Sequence, residues 1–451
     1  MGKGNTDMTK ITVIMPSLNV APYIEECISS VENQTLTDIE ILCIDAGSTD
    51  GTLAILQSHA ENDSRIRIIN SSAKSYGYQV NLGIREACGE YIDIVETDDY
   101  ISDRMLEILY EAVSKYSADY VKSSFNRISH IGNRKVYIKH TLLPTDIGIY
   151  NDMEVTPQEY PKLHTYDSSI WAGMFCRNFL LDNNITLNES KGAAFQDIGF
   201  AHEVLSAANK AVYLDEPMYQ YRMDRDDAST WNRNCLVYAA QEYRRIFEDN
   251  AIQAERFEIH RNAIDTQMAN SFICEMNKVL QMSGYILDIK NISEPYRWLH
   301  DRFIKEITTG NFDFCDIDNN MAVKLKLLLE TPCSYVDLVK AEDELTQAKR
   351  KKSMQYIVGK NIVIFGCGQR CSSLINLLFG NADVNIDTLT DNDETKWNTS
   401  LYGLSVVSPV KALADYADDY YVIANKAHGA DIKKQLISMG VKEDRIIVWV
   451  P

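Results

Sequence analysis

The sequence predicts an α/β protein: a largely parallel sheet domain over residues 10–230, a helical stretch over 231–355, and a smaller α/β unit over 356–451. Three observations predict it. Strand-sized apolar runs alternate with amphipathic helical segments over the first hundred residues, residues 232–355 carry helical periodicity, and strand-helix alternation resumes at 361. A chain of 451 residues also exceeds what one hydrophobic core usually organises, so more than one domain is expected.

The strands of the first domain are ITVIMP (11–16), IEILCID (39–45), RIRIIN (65–70) and YIDIVE (91–96). Between the first two, Ile24, Cys27, Ile28 and Val31 fall at i, i+3, i+4 and i+7, one face of a helix with Pro22 in its first turn. Met105, Leu106, Leu109, Tyr110 and Val113 mark a further helix, and a strand follows at about 119–125. From 126 to 225 the pattern loosens into loops and short strands, ending in AVYLDEPMYQYR (211–222). Leu236, Ala239, Ala240 and Tyr243 then open the helical region, which closes on the charged segment KAEDELTQAKRKKS (340–353), a solvated helix or linker. The last unit has strands in NIVIFGCG (361–368), IDTLTDND (386–393), YYVIAN (420–425) and RIIVWV (445–450).

Composition narrows the function. The 45 basic against 64 acidic residues give a net charge of -19, which speaks against a nucleic-acid partner, since that affinity comes from clustered Lys and Arg. Ten cysteines without a CxxC pair or His/Cys ligand spacing argue against a zinc site and a disulfide framework. The apolar runs fall short of the roughly 18 residues of a membrane span. Residues 1–9 read as a disordered tail without a signal peptide's apolar stretch, although MGKGNT fits the loose myristoylation pattern. A cytoplasmic location is expected, with the inner face of the membrane and a homo-oligomer both left open.

Ligands of an open parallel sheet bind at the carboxyl ends of its strands. Polar residues gather there: Pro16, Ser17 and Asn19 after strand one, Asp45, Gly47 and Ser48 after strand two, and Glu96, Thr97, Asp98 and Asp99 after strand four. Each group alone is also an ordinary turn or helix cap. Three carboxylates in four residues repel one another unless a cation sits between them, and Mg2+ or Mn2+ would serve.

Together these segments resemble the family 2 glycosyltransferases, which have the GT-A nucleotide-diphospho-sugar transferase fold. PSLN stands where the family has P-x-[YF]-N, IDAGSTDGT where it has [VI]-D-D-G-S-x-D-G-[ST], and GEYIDIVETDDYI matches G-x-Y-[IVL]-x-x-x-D-x-D-D. IWAGMFCRNFLLDNNITLNES (170–190) is similar to the acceptor-side segment, AAFQDIGFAHEVL (193–205) to the E-D region, and YQYR (219–222) to the approach to a donor-covering loop. The resemblance implies an inverting transfer of sugar from a nucleotide-diphosphate donor to a carbohydrate or lipid-linked acceptor in cell-surface polysaccharide or glycoconjugate synthesis. It implies a metal on Glu96 and Asp98 and a catalytic base at Asp197. Donor contacts fall to Pro16, Ser17, Asn19, Asp45, Gly47, Asn81, Glu96, Thr97, Asp98 and Arg222, and acceptor contacts to Trp171 and Gln196.

Three positions depart from the pattern. Glu96 replaces the first acid of D-x-D, Ala46 replaces an acid that contacts uracil, and Val80 replaces the arginine of A-R-N, with Lys74 or Arg85 as candidates to compensate. In the last unit Gly366-Cys367-Gly368 lacks the third glycine of a dinucleotide fingerprint, Cys371 standing in its place. Asp391 fits a ribose-binding acid or a turn equally well. This unit resembles small Rossmann-like modules of sugar-modifying enzymes, and every candidate catalytic residue precedes it. Two rival functions stand beside the transferase. A sugar nucleotidyltransferase would need a glycine-rich loop where PSLNVAPY stands; a catalytically silent nucleotide-sensing protein would not need Asp98, Asp99 and Asp197 together.

Overall fold

The computed structural model describes residues 9–143, 146–166, 168–224, 232–249, 252–287 and 289–449; most of the expected N-terminal tail lies outside these. The described chain divides into two compact units. The first comprises residues up to 125, 140–221 and 227–337, and the second 126–139, 222–226 and 338–451.

The first unit is built on β1 (Ile11–Ser17), β2 (Ile39–Asp45), β3 (Ile66–Asn70), β4 (Tyr91–Ile94), β5 (Tyr100–Ile101), β6 (Tyr120–Ile131), β7 (Arg134–His140), β8 (Glu154–Val155), β9 (Gly173–Cys176) and β10 (Ala211–Arg222). Their sheet order is β3-β2-β1-β4-β9-β6-β10-β5, with β7 on β6 and β8 on β10. The first four strands are mutually parallel, as the alternation predicts, and β1 is buried along its whole length because helices cover both faces. Register sets the site: Ser17 lies beside Asp45, and Asp45 beside Asn70. The short β9 runs antiparallel between β4 and β6 in the middle of the sheet, within a stretch whose sequence showed only loose structure. The unit also holds the helices Cys235–Phe247, Ala254–Met282, Ile289–Thr308 and Asn319–Glu330. Among the described residues no helix is long and apolar enough to cross a membrane.

The second unit carries β11 (Asn361–Phe365), β12 (Asn385–Thr390), β13 (Thr399–Leu401), β14 (Leu404–Val407), β15 (Tyr420–Ile423) and β16 (Ile446–Val448), ordered β13-β14-β12-β11-β15-β16. All neighbours are parallel except the edge pair β13/β14. Its core includes Ile131, Val136 and Ile138, contributed by the β6/β7 hairpin from far upstream, packed with Ile357, Ile362, Leu374 and Ile386. Gly132 makes the hairpin tip possible: its φ is +56°, its N–H donates to Asn381 O at 2.8 Å, and a Cβ there would come within 2.0 Å of Asn385 Oδ1. The hairpin thus lies inside the 10–230 span by sequence and in the second unit by packing.

Candidate active site

The loop after β2 is organised by Asp45. Its Oδ2 accepts the N–H groups of Gly47 at 2.9 Å and Ser48 at 3.0 Å, while Oδ1 is buried without a protein partner. Asn19, in the left-handed region at φ 55°, accepts from Thr49 N at 2.8 Å and donates its own N–H to Ser48 Oγ at 3.0 Å. The loops after β1 and β2 are therefore one hydrogen-bonded surface. Beneath it Gln79 Nε2 donates to Ser17 O at 3.0 Å and Ile44 O at 2.6 Å, joining the two strand ends. Val80 is wholly buried, so the position of the missing arginine faces the core. Lys74 is exposed, and Arg85 lies 4.0 Å from Glu189.

After β4, Thr97 Oγ1 donates to Pro16 O at 2.7 Å, tying this turn to β1. Tyr219 on β10 holds it from the other side, accepting Glu96 N–H at 3.1 Å and donating to Asp99 Oδ2 at 2.9 Å. Burial and the charges of Asp99 and Glu96 push the Tyr219 phenol well above its ordinary value, so it stays a donor. Glu96, Asp98 and Asp99 each present an oxygen, all within 4.8 Å of one another. An all-oxygen, anionic set of this kind suits a hard divalent cation. Asp99 joins the pair expected from sequence, and Tyr219 is the residue sequence reasoning passed over.

Asp197 is in the first turn of the helix Gln196–Ala207. The N-cap position belongs to Phe195, which adopts φ 67° and offers no side-chain cap, so Asp197 is not the capping residue of its helix. Its Oδ1 accepts the adjacent Ile198 N–H at 3.1 Å. The segment before it is drawn to the sheet by backbone pairing: Tyr76 N donates to Gly192 O at 2.9 Å and Gly192 N to Lys74 O at 3.1 Å. Tyr76 is near both groups of acids: burial first, and then the charges of Glu96 and Asp197, push its phenol well above its ordinary value. Carboxylates expected to hold metal and to take a proton therefore share one neighbourhood.

Other expected contacts are occupied by the protein itself. Asn81 exchanges hydrogen bonds with the backbone of Leu187, at 2.8 and 2.9 Å, and reaches Glu189 Oε1 at 3.0 Å. Gln196 Nε2 braces the preceding loop through Ser190 O and Ser190 Oγ, both at 2.9 Å. Trp171 stacks on Tyr219 and Tyr221 with ring centres 4.6 and 4.8 Å away and is nearly buried. Arg222 ends β10. In that unit Asp391 Oδ2 accepts Cys367 N–H at 2.7 Å and Lys396 Nζ at 3.1 Å, so the acid is bound into the glycine loop.

The model of glycosyl transferase family 2 matches residues 12–176, and that of a C2185-like N-terminal domain matches residues 358–447. An uncharacterized glycosyltransferase, EpsJ of Bacillus subtilis, is 31% identical over 216 residues, 47% of this chain and 60% of that protein. The glycosyltransferase GlyG of Streptococcus pneumoniae is 31% identical over 218 residues, 47% of this chain and 70% of that protein. The chain thus spans about 60% of the first relative's length. The crystal structure of S. aureus TarS 1-349 in complex with UDP-GlcNAc superposes with TM-score 0.53 at 18% identity, covering 75% of this chain and 92% of that one. At that identity the likeness is one of fold.

Proposed function

The chain belongs to glycosyl transferase family 2, and from that membership we propose that it moves a sugar, with inversion, from a nucleotide-diphosphate donor to the hydroxyl of a carbohydrate or lipid-linked acceptor during cell-surface polysaccharide or glycoconjugate synthesis. The observation that carries this reading is the convergence of Glu96, Asp98 and Asp99 at the end of β4, in the neighbourhood of Asp197. Glu96 and Asp98 would hold a divalent cation such as Mg2+ or Mn2+, which would supply positive charge to the departing diphosphate. Asp45 Oδ1, buried and without a protein partner, is the atom we assign to receive a donor group of the nucleoside. The acceptor oxygen bonds to the anomeric carbon as the bond from that carbon to the diphosphate oxygen breaks, and the hydroxyl proton passes to Asp197. Gln196 and Trp171 serve the acceptor side, the first through the loop it braces. Ala46 and Val80 remove two groups expected to select uridine, so the base preference is relaxed or altered.

The test is a panel of UDP-, GDP-, CDP- and dTDP-sugars, scored by release of nucleoside diphosphate. At least one donor should be turned over, and both excess EDTA and Asp98→Ala should abolish the release. Full rate in EDTA overturns the metal assignment, and no turnover of any donor overturns the transferase reading. Calorimetry with the four free diphosphates reports the base; a tenfold or greater preference for UDP sinks the relaxed-uridine proposal.

A further inference from the structure

The helix Pro332–Met354 ends on four consecutive basic residues, Lys349, Arg350, Lys351 and Lys352, in a chain whose net charge is -19. All four are exposed, and none makes an ion pair among the described residues. Favourable interaction with the helix C-terminus explains one or two such charges, in the last turn. It does not explain what surrounds them. Leu345 and Tyr356 are 56 and 60% exposed, apolar surface beside the run of cations. Leu345, Lys349, Lys352 and Tyr356 follow the spacing i, i+4, i+7, i+11, one helical face, and Val358 N still donates to Met354 O at 3.2 Å, so the chain keeps its helical course just past the end. Met354 and Ile357 are buried in the core of the second unit, which anchors this end of the helix while the basic and apolar side chains are exposed.

We propose that this helix end is a docking surface for an anionic lipid bilayer. The cations meet headgroup phosphates, and Tyr356 and Leu345, on the face of Lys349 and Lys352, enter the boundary between headgroups and acyl chains. Charge complementarity chooses the occupant: a cluster of four to eight Lys or Arg on a helix is the usual signature of anionic-lipid contact. The tyrosine suits that depth, having an apolar body and a polar tip. An acidic protein or a nucleic acid would use the charges but leave Leu345 and Tyr356 wet. Nothing in this inference rests on the glycosyltransferase reading.

The experiment is flotation of the full chain with vesicles of phosphatidylcholine alone or with about a third phosphatidylglycerol. Binding is expected only with the anionic lipid and should fall as salt is raised from low to about 0.5 M. Each cation near the surface is worth roughly a fivefold change in partition. Replacing Lys349, Arg350, Lys351 and Lys352 together by Gln should therefore lower binding at least a hundredfold, and Tyr356→Ser with Leu345→Ser should lower it severalfold at unchanged salt dependence. Both variants should melt like the parent, since these side chains are exposed. Equal flotation of parent and the Gln variant overturns the proposal, as does equal binding to neutral vesicles. So does self-association, or capture of DNA, that depends on the four cations in a chain that ignores the vesicles.

Discussion

Asp197 and Asp93 are both carboxylates within the same sheet domain, and their surroundings give them opposite tasks. Asp197 is in the first turn of its helix without being the cap, so replacing it should cost little stability. Asp197→Asn is expected to fold, bind donor and transfer sugar at least a hundredfold more slowly, in keeping with the loss of a general base; near-normal transfer by a folded variant would return the residue to a structural role. Asp93, in the middle of β4, is fully buried with neither carboxylate oxygen partnered, and burial pushes it up to about 8. A carboxyl raised in the folded state is neutral there across neutral pH, so its contribution is complete below the unfolded value of about 3.9 and is lost as pH rises towards 8. At pH 7 that penalty is on the order of 4 kcal/mol. Asp93→Asn should raise the urea midpoint at pH 8 and flatten its decline between pH 5 and 8. A parent whose midpoint does not fall relative to the variant over that range would show that the carboxyl reaches water.

At the scale of elements, the helix Tyr76–Glu86 is pressed against the segment that carries Leu187 and Asn188. A Cβ on Gly77 would lie 2.0 Å from Asn188 O, a backbone atom that cannot swing away, so Gly77→Ala should cost more than about 2 kcal/mol in denaturant melts. His164, His202 and His260 meet in the interior from three different elements, His164 Nδ1 lying 2.7 Å from His202 Nδ1. Burial pulls all three down, His202 to about 3 and His260 to about 4. A histidine lowered in the folded state is kept neutral, so its stability contribution is complete above the unfolded value of about 6.5 and drains away as pH falls below it. The urea midpoint should therefore drop between pH 7 and 5, and His260→Leu should shrink the drop; an equal drop in that variant would assign the acid sensitivity elsewhere. The parallel strands β1 to β4 were legible because each is a continuous apolar run ending in polar residues. The Glu96 to Asp99 cluster was legible because like charges stood together in the sequence. β9 was not, since four residues carry no period and its place in the sheet comes from distant partners. The β6/β7 hairpin had a Gly132-Asn133 turn signal, but its apolar face serves the second unit's core, so the alternation matched nothing nearby. The working contacts of Tyr219 and Gln79 depend on strand register, which composition does not encode.

For the whole molecule, the position of every candidate catalytic acid before residue 231 predicts that the C-terminal unit can be removed without loss of chemistry. Packing changes that expectation for stability. A chain ending near residue 355 would leave Ile131, Val136 and Ile138 without most of the core that now covers them. Such a truncation should aggregate in size-exclusion chromatography, and substituting those three by Thr should recover soluble material that still hydrolyses donor slowly. A monodisperse truncation with the native hairpin would mean that the arm finds other cover. The same arm has a consequence in time. During synthesis it leaves the ribosome long before β11 exists, and at 5–20 residues per second the wait is on the order of 10–45 s. For that interval a sticky hairpin must be shielded by a chaperone or by the first unit, so slowing translation between the two segments should lower the yield of native protein more than the same delay placed before residue 120.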